Sequence, residues 1–196
     1  MTTTLRTLTG LPDAPATLGD SALILIDCQT TYTRGVMELE GVGAALTEAA
    51  TLLDRARGAG IPVIHIQHNA GPGSPYDIDG ESGAIVAEVA PRADEPVVVK
   101  AYPNSFVGTE LHDLLQQRGA TNLILAGFMT HMCVNSTARG AFNLGYAPAV
   151  VASATATRAL PGADGPVSAA AMQSASLAAM ADLFAVVVPN PASIPD

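Results

Sequence analysis

Residues 121–145 read TNLILAGFMTHMCVNSTARGAFNLG and contain the two signals that decide the fold of this chain. The apolar run at 121–128 predicts a buried β-strand, and residues 131–144, which stop at Gly145, predict a helix. A strand that leads directly into a helix is the repeating unit of α/β folds. The unusual residue in this unit is Cys133, because a plain core would place Ala or Val there.

The same alternation of strand and helix continues along the rest of the chain. Short apolar runs predict further strands at 21–28, 61–68, 96–102, 146–153 and 184–189. Apolar residues at helical spacing predict further helices at 42–57, 107–118 and 167–183. We therefore predict an α/β protein whose parallel sheet has helices on both faces, joined by right-handed crossovers. Long Gly/Pro-rich loops are expected at 69–83 and 158–166.

Composition and charge exclude several classes of function. The chain has 196 residues, 48% of them hydrophobic and only 14% charged, which is typical of one globular domain over residues 1–196. Its net charge of −9 argues against nucleic acid and anionic membrane surfaces as partners. Because no apolar stretch is long enough to span a bilayer and the start has no apolar signal region, we expect a soluble, cytoplasmic protein. Cys28 and Cys133 are too few for a disulfide scaffold and lack zinc-site spacing.

Three chemically reactive residues fall at or just beyond the carboxyl ends of predicted strands. Asp27 ends the first strand, Lys100 ends the third, and Cys133 follows the fourth. Sites of parallel α/β sheets form at this edge, so we expect the three side chains to meet there. The alternatives are that Asp27 caps the following loop and that Lys100 is an ordinary surface lysine with a buried stem. Strand alternation turns Cys28 away from Asp27 and predicts an inert core residue.

The environment of Cys133 has two interpretations on sequence alone. Thr130 has the side chain of a helix N-cap, which makes Cys133 the third residue of the helix. Unpaired amides and the helix dipole favour a thiolate at this position. Equally open is the interpretation of Cys133 as a small buried hydrophobe, which is the commonest role of free cysteine.

Three motifs identify a resemblance to a known superfamily. The segments LILIDCQ (23–29), VVVKAYPNSF (97–106) and LAGFMTHMCVNSTARGA (125–141), in this order and spacing, resemble the isochorismatase-like cysteine hydrolases. This group includes nicotinamidases and N-carbamoylsarcosine amidases, and the resemblance covers about residues 20–188. It implies a three-layer Rossmann-like fold with a six-stranded parallel sheet, no cofactor, and a homo-oligomer, a dimer or larger.

The resemblance also implies a mechanism. Asp27, Lys100 and Cys133 match the catalytic triad of the superfamily, and the bond between Phe128 and Met129 matches its non-proline cis peptide. The backbone amides of Met129 and Cys133 would then form the oxyanion hole. Asp27 would move protons while the thiol attacks an amide, ureido or lactam carbonyl and forms a thioester.

Residues around this triad are candidates for binding a small-molecule substrate. We expect Gln29, Tyr102, Asn104, Phe106 and His131 to line the pocket. Alternatively, Gln29 caps a loop, and Asn104 and the neighbouring serine cap the next helix.

Metal binding is not expected, because the Asp-x-His signature of nicotinamidases is broken. The resemblance places His68 at its aspartate and Ala70 at its first histidine. His65, within a strand, is interpreted as a hydrogen-bonded core or wall residue.

The sequence therefore predicts a cysteine-dependent hydrolase that cleaves a C–N bond of a small molecule. Two alternatives remain open within the same fold: a vinyl ether hydrolase of the isochorismatase type, and a relative that binds small molecules without catalysis. A nucleotide-binding domain is weakly indicated by GVGAAL (41–46), which lacks the third glycine and does not directly follow a strand.

Overall fold

The computed structural model describes residues 3–196, which form one large sheet, a small hairpin and the helices around them. The strands are β1 (Ser21–Ile26), β2 (Val63–His68), β3 (Val97–Lys100), β4 (Asn122–Phe128), β5 (Ala147–Ala156), β6 (Leu160–Gly162), β7 (Gly165–Val167) and β8 (Val186–Val188). The α-helices are α1 (Leu5–Leu8), α2 (Val42–Ala59), α3 (Leu111–Gln117), α4 (Asn135–Asn143) and α5 (Ala169–Ala181). A π-helical turn, Thr130–Val134, leads into α4.

The large sheet has six parallel strands in the order β3-β2-β1-β4-β5-β8. Helix α2 packs on one face together with the loops that follow β1 and β2, and α3, α4 and α5 pack on the other. The predicted α/β fold, with a six-stranded parallel sheet and helices on both faces, is therefore confirmed.

The pattern of β1 shows why this layering follows from the sequence. All six of its residues are buried. Leu23 and Leu25 pack on the α2 side, whereas Ile24 and Ile26 pack on the side of α3 and α4. Because successive side chains of a strand point to opposite faces, a strand covered on both sides must be apolar throughout.

Several predicted boundaries were wrong, and local geometry explains why. The helix expected at 107–118 begins only at Leu111, because Gly108 adopts a left-handed φ of 68° and ends the preceding turn. The strand expected at 146–153 extends to Ala156, past a register shift opposite β4. The loop expected at 158–166 contains the β6–β7 hairpin.

Gly127 allows β4 to lie close against β1. Its φ is 112°, and a Cβ built on it would lie 2.0 Å from the carbonyl oxygen of Ile26. No residue other than glycine fits this position without moving a strand. The next residues, Phe128 and Met129, lead directly into the π-helical turn.

The edge of the sheet formed by β3 is thin. Strand β3 has four residues and pairs only with β2 among the strands of residues 3–196. Val98 and Lys100 are buried, but Val97 and Val99 face a side that α2 does not cover and are exposed. Within the same residues, no helix combines the length and apolar character needed to cross a bilayer.

Candidate active site

Asp27, Lys100 and Cys133 meet at the carboxyl edge of the large sheet. The ammonium Nζ of Lys100 lies 2.8 Å from Oδ2 of Asp27 and donates to Sγ of Cys133 at 3.3 Å. All three side chains are buried, and the side chains of Asp27 and Lys100 have no exposed surface. An acid, a cation and a thiol are thus in direct contact in a site of low dielectric, where their interactions are strong.

The backbone at Asp27 is strained in a way that serves this contact. Asp27 directly follows β1 and adopts a φ of 50°, the only non-glycine residue of residues 3–196 with a positive φ. Such a conformation costs about 1–3 kcal/mol and persists where the surroundings enforce it. Here its amide donates to the carbonyl of Ile66 on β2. The strain turns the carboxyl group toward β3, where Lys100 lies, and Cys28 into the core.

The carboxyl group of Asp27 has unused hydrogen-bonding capacity. Neither oxygen has a hydrogen bond of regular angular geometry within residues 3–196, although Oδ2 contacts the ammonium of Lys100. Buried carboxylates are normally fully bonded, so an open acceptor here is notable.

Cys133 lies within the π-helical turn, and the predicted cap at Thr130 was wrong. The turn begins at Thr130 itself, and its N-cap, Met129, makes no side-chain cap bond. The wide turn closes through the amide of Val134, which donates to the carbonyl of Met129 at 3.2 Å. Cys133 is therefore the fourth residue of the turn, because the helical backbone begins one residue earlier than expected. π-helical turns of this kind are frequent at functional sites.

Of the two interpretations of Cys133 that the sequence left open, the electrostatics of the site do not favour a resting thiolate. Burial raises the pKa of Cys133 to about 12, the negative charge of Asp27 adds to this, and the ammonium of Lys100 opposes it. Burial likewise raises the pKa of Asp27, against the opposing effects of Lys100 and of the Cys133 thiol. Burial and the charge of Asp27 therefore favour the thiol over the thiolate, and Asp27 is a hydrogen-bonding neighbour that can accept its proton.

One backbone amide beside the thiol is free. The bond between Phe128 and Met129 is a cis peptide, as predicted. In the part of the chain that the structure describes, the N–H of Met129 donates to no protein acceptor, and the N–H of Cys133 lies within the π-helical turn. A free amide next to a thiol is a donor that an oxyanion hole requires.

His68 is the third side chain that contacts the ammonium of Lys100, after Asp27 and Cys133. Its Nδ1 lies 3.2 Å from Nζ. Burial, together with the charge of Lys100, lowers the pKa of His68 to about 4, so its imidazole is neutral at pH 7 and Nδ1 accepts the bond. An ammonium has three N–H donors. Those of Lys100 are matched by contacts with Asp27, Cys133 and His68, which fix its position.

Gln29, a predicted pocket residue, is used to join two loops. Its Oε1 accepts from the amide of His68, and its Nε2 donates to the carbonyls of His68 and Gly83. Both amide hydrogens are therefore engaged, and the residue is fully buried. This geometry favours the loop-capping interpretation over substrate binding, and it holds His68 in place beside Lys100.

The three candidates that follow β3 have different surroundings. Tyr102 is 59% exposed. Asn104 accepts from the amide of Phe106 and packs on Gly140 of α4. Phe106 stacks on Tyr146, at the amino-terminal edge of the sheet. Phe106 therefore packs away from the triad, and Asn104 bonds the turn ahead of α3, whose N-cap is Glu110.

His131 and two tyrosines lie around the site. Nδ1 of His131 hydrogen-bonds Oγ1 of Thr157, which ties the π-helical turn to the end of β5. The hydroxyl groups of Tyr32 and Tyr76 lie 3.3 Å apart, and the Tyr76 ring packs edge-on against His68. The pKa of Tyr76 is raised by burial and also by the charges of Cys133 and Asp27, which indicates that its hydroxyl group is close to the triad. Tyr76, on the predicted loop 69–83, thus packs beside the triad.

Arg158 was missed by the sequence analysis. It follows Thr157 directly beyond β5, and its Nε is buried without a hydrogen-bond partner among residues 3–196. The signal that identified Asp27 and Lys100 was a charged residue at the end of an apolar strand, and here Thr157 separates Arg158 from Ala156, the last residue of β5. Because β5 was predicted to end at residue 153, the position of Arg158 close to a strand end was not recognised.

Neither histidine of β2 belongs to a metal cluster. Nε2 of His65 lies 3.0 Å from Glu95, which forms a bidentate ion pair with Arg57. The pKa of Glu95 is lowered to about 2, chiefly by the hydrogen bond from Arg57. No group of three or more His, Cys, Asp or Glu side chains suited to a metal is found within residues 3–196. Metal-free catalysis remains a prediction.

A cavity of about 530 Å³ lies at the opposite edge of the sheet. It is formed by the segment after α1 and by residues around Tyr146 and Phe142, and it is mainly apolar. Its one charged residue, Arg6, already donates to the carbonyls of Pro12 and Leu183. No cysteine or serine of residues 3–196 lines this cavity, so the contact of Asp27, Lys100 and Cys133 remains the candidate active site.

Comparison with known proteins identifies the family. The model of the isochorismatase domain matches residues 21–190. The chain belongs to the isochorismatase family. The match spans all six strands of the large sheet and the whole triad, and the family is one of hydrolases.

Two relatives and one solved structure show how close the similarity is. A secreted isochorismatase effector of Verticillium dahliae is 34% identical over 93% of this chain and 95% of its own. A ureidoacrylate amidohydrolase of Pseudomonas syringae is 30% identical over 74% of this chain and 76% of its own. The crystal structure of an isochorismatase from Pseudomonas putida covers 99% of this chain and 100% of its own at 40% identity, with a TM-score of 0.96.

Proposed function

We propose that this protein is a cysteine-dependent hydrolase that cleaves an amide, ureido or lactam C–N bond of a small molecule. The observation that carries the proposal is the contact of Asp27, Lys100 and Cys133, with the free amide of Met129 beside the thiol. The similarity to a ureidoacrylate amidohydrolase supports the choice of a C–N bond.

The first step is attack of Sγ of Cys133 on the substrate carbonyl. Because the thiol is protonated at rest, its proton passes to Asp27 as the S–C bond forms. The ammonium of Lys100 stabilises the negative charge that develops on sulfur, and the Met129 and Cys133 amides hold the oxyanion. The reaction therefore starts without a free thiolate, which protects the buried thiol from oxidation between turnovers.

The second half of the cycle returns the proton. Protonated Asp27 gives its proton to the departing nitrogen as the C–N bond breaks, which leaves a thioester on Cys133. Water then loses a proton to Asp27 and attacks the thioester carbonyl, and the thiol leaves as the acid product forms. The raised pKa of Asp27 suits it to both directions of proton transfer.

Thiol labelling and trapping test this proposal, and Cys28 provides a matched control. We expect iodoacetamide to alkylate Cys133 first, because Cys28 lies in the core on the opposite side of the strand. Intact-protein mass spectrometry with a panel of small amides, ureas and lactams should trap an acyl adduct on Cys133. Cys133→Ala should abolish turnover, and Cys28→Ala should preserve it. The mechanism would be refuted if Cys28 were labelled first. Full turnover by Cys133→Ala would also refute it, and is the result expected of a vinyl ether hydrolase.

The proposal extends to a cytoplasmic homo-oligomer, a dimer or larger. Both cysteines are free, and a buried catalytic thiol is best preserved in a reducing compartment. Helix α5, Ala169–Ala181, has no charged residue and exposes several Ala and Ser side chains, which suits packing against another copy. Light scattering after size-exclusion chromatography measures the stoichiometry, and a monomer at micromolar concentration would contradict this part.

A further inference from the structure

A pair of tyrosine hydroxyl groups beside the triad has one hydrogen more than its bonds use. The hydroxyl oxygens of Tyr32 and Tyr76 lie 3.3 Å apart, and neither has another hydrogen-bond partner among residues 3–196. Each hydroxyl group has one hydrogen to donate. One of these hydrogens joins the two oxygens, so the other has no acceptor in the part of the chain that the structure describes.

Burial decides which of the two hydrogens is free. Tyr32 is 1% exposed, whereas Tyr76 is half-buried. If Tyr76 donated the bond, the hydrogen of Tyr32 would be buried without an acceptor, which is unfavourable. Tyr32 is therefore the donor, and the O–H of Tyr76 is free for a ligand. The pKa values agree, because burial and the donated bond raise the pKa of Tyr32, whereas the accepted bond opposes the effect of burial on the pKa of Tyr76.

One series of contacts leads from Tyr76 to the thiol through Lys100. The Tyr76 ring packs edge-on against His68, with 4.9 Å between the ring centroids. Nδ1 of His68 lies 3.2 Å from Nζ of Lys100, which donates to Sγ of Cys133 at 3.3 Å. Only two side chains therefore separate Tyr76 from the thiol along this series.

A second series of contacts leads from Tyr76 to the free amide of the oxyanion hole. The ring of Tyr32 lies edge-on to both Tyr76 and Phe128, with 5.8 Å between the ring centroids in each pair. Phe128 is joined by the cis peptide to Met129, whose N–H has no protein acceptor among residues 3–196. Both series end at the nucleophile turn, so we place the Tyr76 hydroxyl group beside the approach to the thiol.

The loop that carries Tyr76 is braced, which favours a donor with a fixed direction. Oδ2 of Asp77 accepts from the amide of Gly73, across the turn that contains Tyr76. Further along the loop, the carbonyl of Gly83 accepts from the buried side chain of Gln29. A donor on such a loop loses little conformational freedom when a ligand binds.

We propose that the Tyr76 hydroxyl group binds a second acceptor oxygen of the substrate, besides the oxygen of the scissile carbonyl at Cys133. This inference rests on the proposed function and adds a substrate class to it: amides, lactams or ureido compounds with a further carbonyl or hydroxyl oxygen, as imides and acylureas have. The oxyanion hole takes the scissile oxygen, and Tyr76 donates to the other. A compound without the second oxygen is disfavoured, because it leaves the donor unpaired.

Two ring compounds that differ by one carbonyl oxygen test the site. Glutarimide has a second carbonyl group where δ-valerolactam has a methylene group. Their dissociation constants are measured by ligand-observed NMR with the Cys133→Ala protein, in which the nucleophile is absent. We expect glutarimide to bind about 5-fold more tightly or better, as for one net hydrogen bond. Adding Tyr76→Phe should abolish this preference and leave the affinity for δ-valerolactam unchanged, because the ring and its packing remain.

Two other Tyr→Phe changes are controls. Tyr146→Phe removes a hydroxyl group that bonds Nδ1 of His112, at the amino-terminal edge of the sheet, and should not alter the preference. Tyr32→Phe removes the bond that orients the Tyr76 hydroxyl group but keeps that group, so the preference should fall by a smaller factor than in Tyr76→Phe. The inference would be overturned by equal affinities of the two compounds, by a preference that survives Tyr76→Phe, or by an equal fall in Tyr146→Phe.

Failure of this inference can be told apart from failure of the proposed function. The affinities are measured without the thiol, so they report on Tyr76 whether or not Cys133 is the nucleophile. The proposed function is judged by labelling and turnover of the protein that retains Cys133.

Discussion

Asp27 and Lys100 form a buried ion pair, so the losses of stability from removing each partner alone should add up to more than the loss from removing both. The side chains are fully buried, with Nζ 2.8 Å from Oδ2. At this separation the attraction is roughly 6 kcal/mol for an effective dielectric constant of about 20. Much of this gain is offset by the cost of burying both charges.

We expect the Asp27→Asn and Lys100→Met variants each to lose about 3–5 kcal/mol in the free energy of unfolding. Lys100→Met should lie near the lower end, because its Asp27 takes up a proton and loses its charge. The double variant leaves neither charge buried, so its loss should be smaller than the sum of the two single losses by about 2 kcal/mol or more.

Urea unfolding of the four proteins at pH 7, followed by circular dichroism, gives the required free energies as a double-mutant cycle. Turnover should be absent in all three variants, because the acid, the cation or both are missing. If the two single losses add to the double loss within about 0.5 kcal/mol, the side chains do not interact, and the reasoning about the site is refuted.

Three further predictions follow from other contacts. The pKa of His68 is about 4 in the folded protein and about 6.5 in the unfolded chain, so its contribution to the free energy of unfolding should be complete above pH 6.5 and fall as the pH drops toward 4. The melting temperature of His68→Asn should therefore depend less on pH than that of the wild type, although His65 and His131, whose pKa values are also lowered, still contribute. An equal pH dependence of the two melting temperatures would contradict this. Gly127→Ala should either not fold or melt at a much lower temperature, because its Cβ would lie 2.0 Å from the carbonyl oxygen of Ile26. The control Gly43→Ala, on the open surface of α2, should be neutral or stabilising by up to about 1 kcal/mol. Similar melting temperatures for the two variants would refute the argument. In Gln29→Leu the free energy of unfolding, measured in urea, should fall by about 1–3 kcal/mol, because buried backbone groups of His68 and Gly83 lose their hydrogen-bond partners. An unchanged free energy of unfolding together with a raised KM would instead support direct contact of Gln29 with the substrate.

The fold and the centre of the site could be predicted because they depend on patterns that run along the chain. Six apolar runs separated by helical segments indicate a parallel sheet covered on both faces, and the sheet has that form. The rule that sites form at carboxyl strand ends then selected Asp27, Lys100 and Cys133, which the structure brings into contact.

The surroundings of the triad could not be predicted, because they depend on contacts between loops. Residues 101–110 follow Lys100 in sequence, yet Gly108 and the bond from Ser105 to Thr137 direct this loop toward α4 and away from the site. Arg158 and His68 come to the site from strands β5 and β2, far apart in sequence. The pKa of Cys133 depends on its depth of burial, which helix position alone does not reveal.

The position of Lys100 on the last strand of the sheet has a consequence for heat inactivation. A four-residue strand held by one neighbour, with two valines open to water, is the segment expected to fray first by sub-global opening. Such fraying withdraws the ammonium from the thiol while the remaining five strands stay paired. Catalysis should therefore cease several degrees below the melting of the sheet, and amide hydrogens of residues 97–100 should exchange faster than those of β1 and β4.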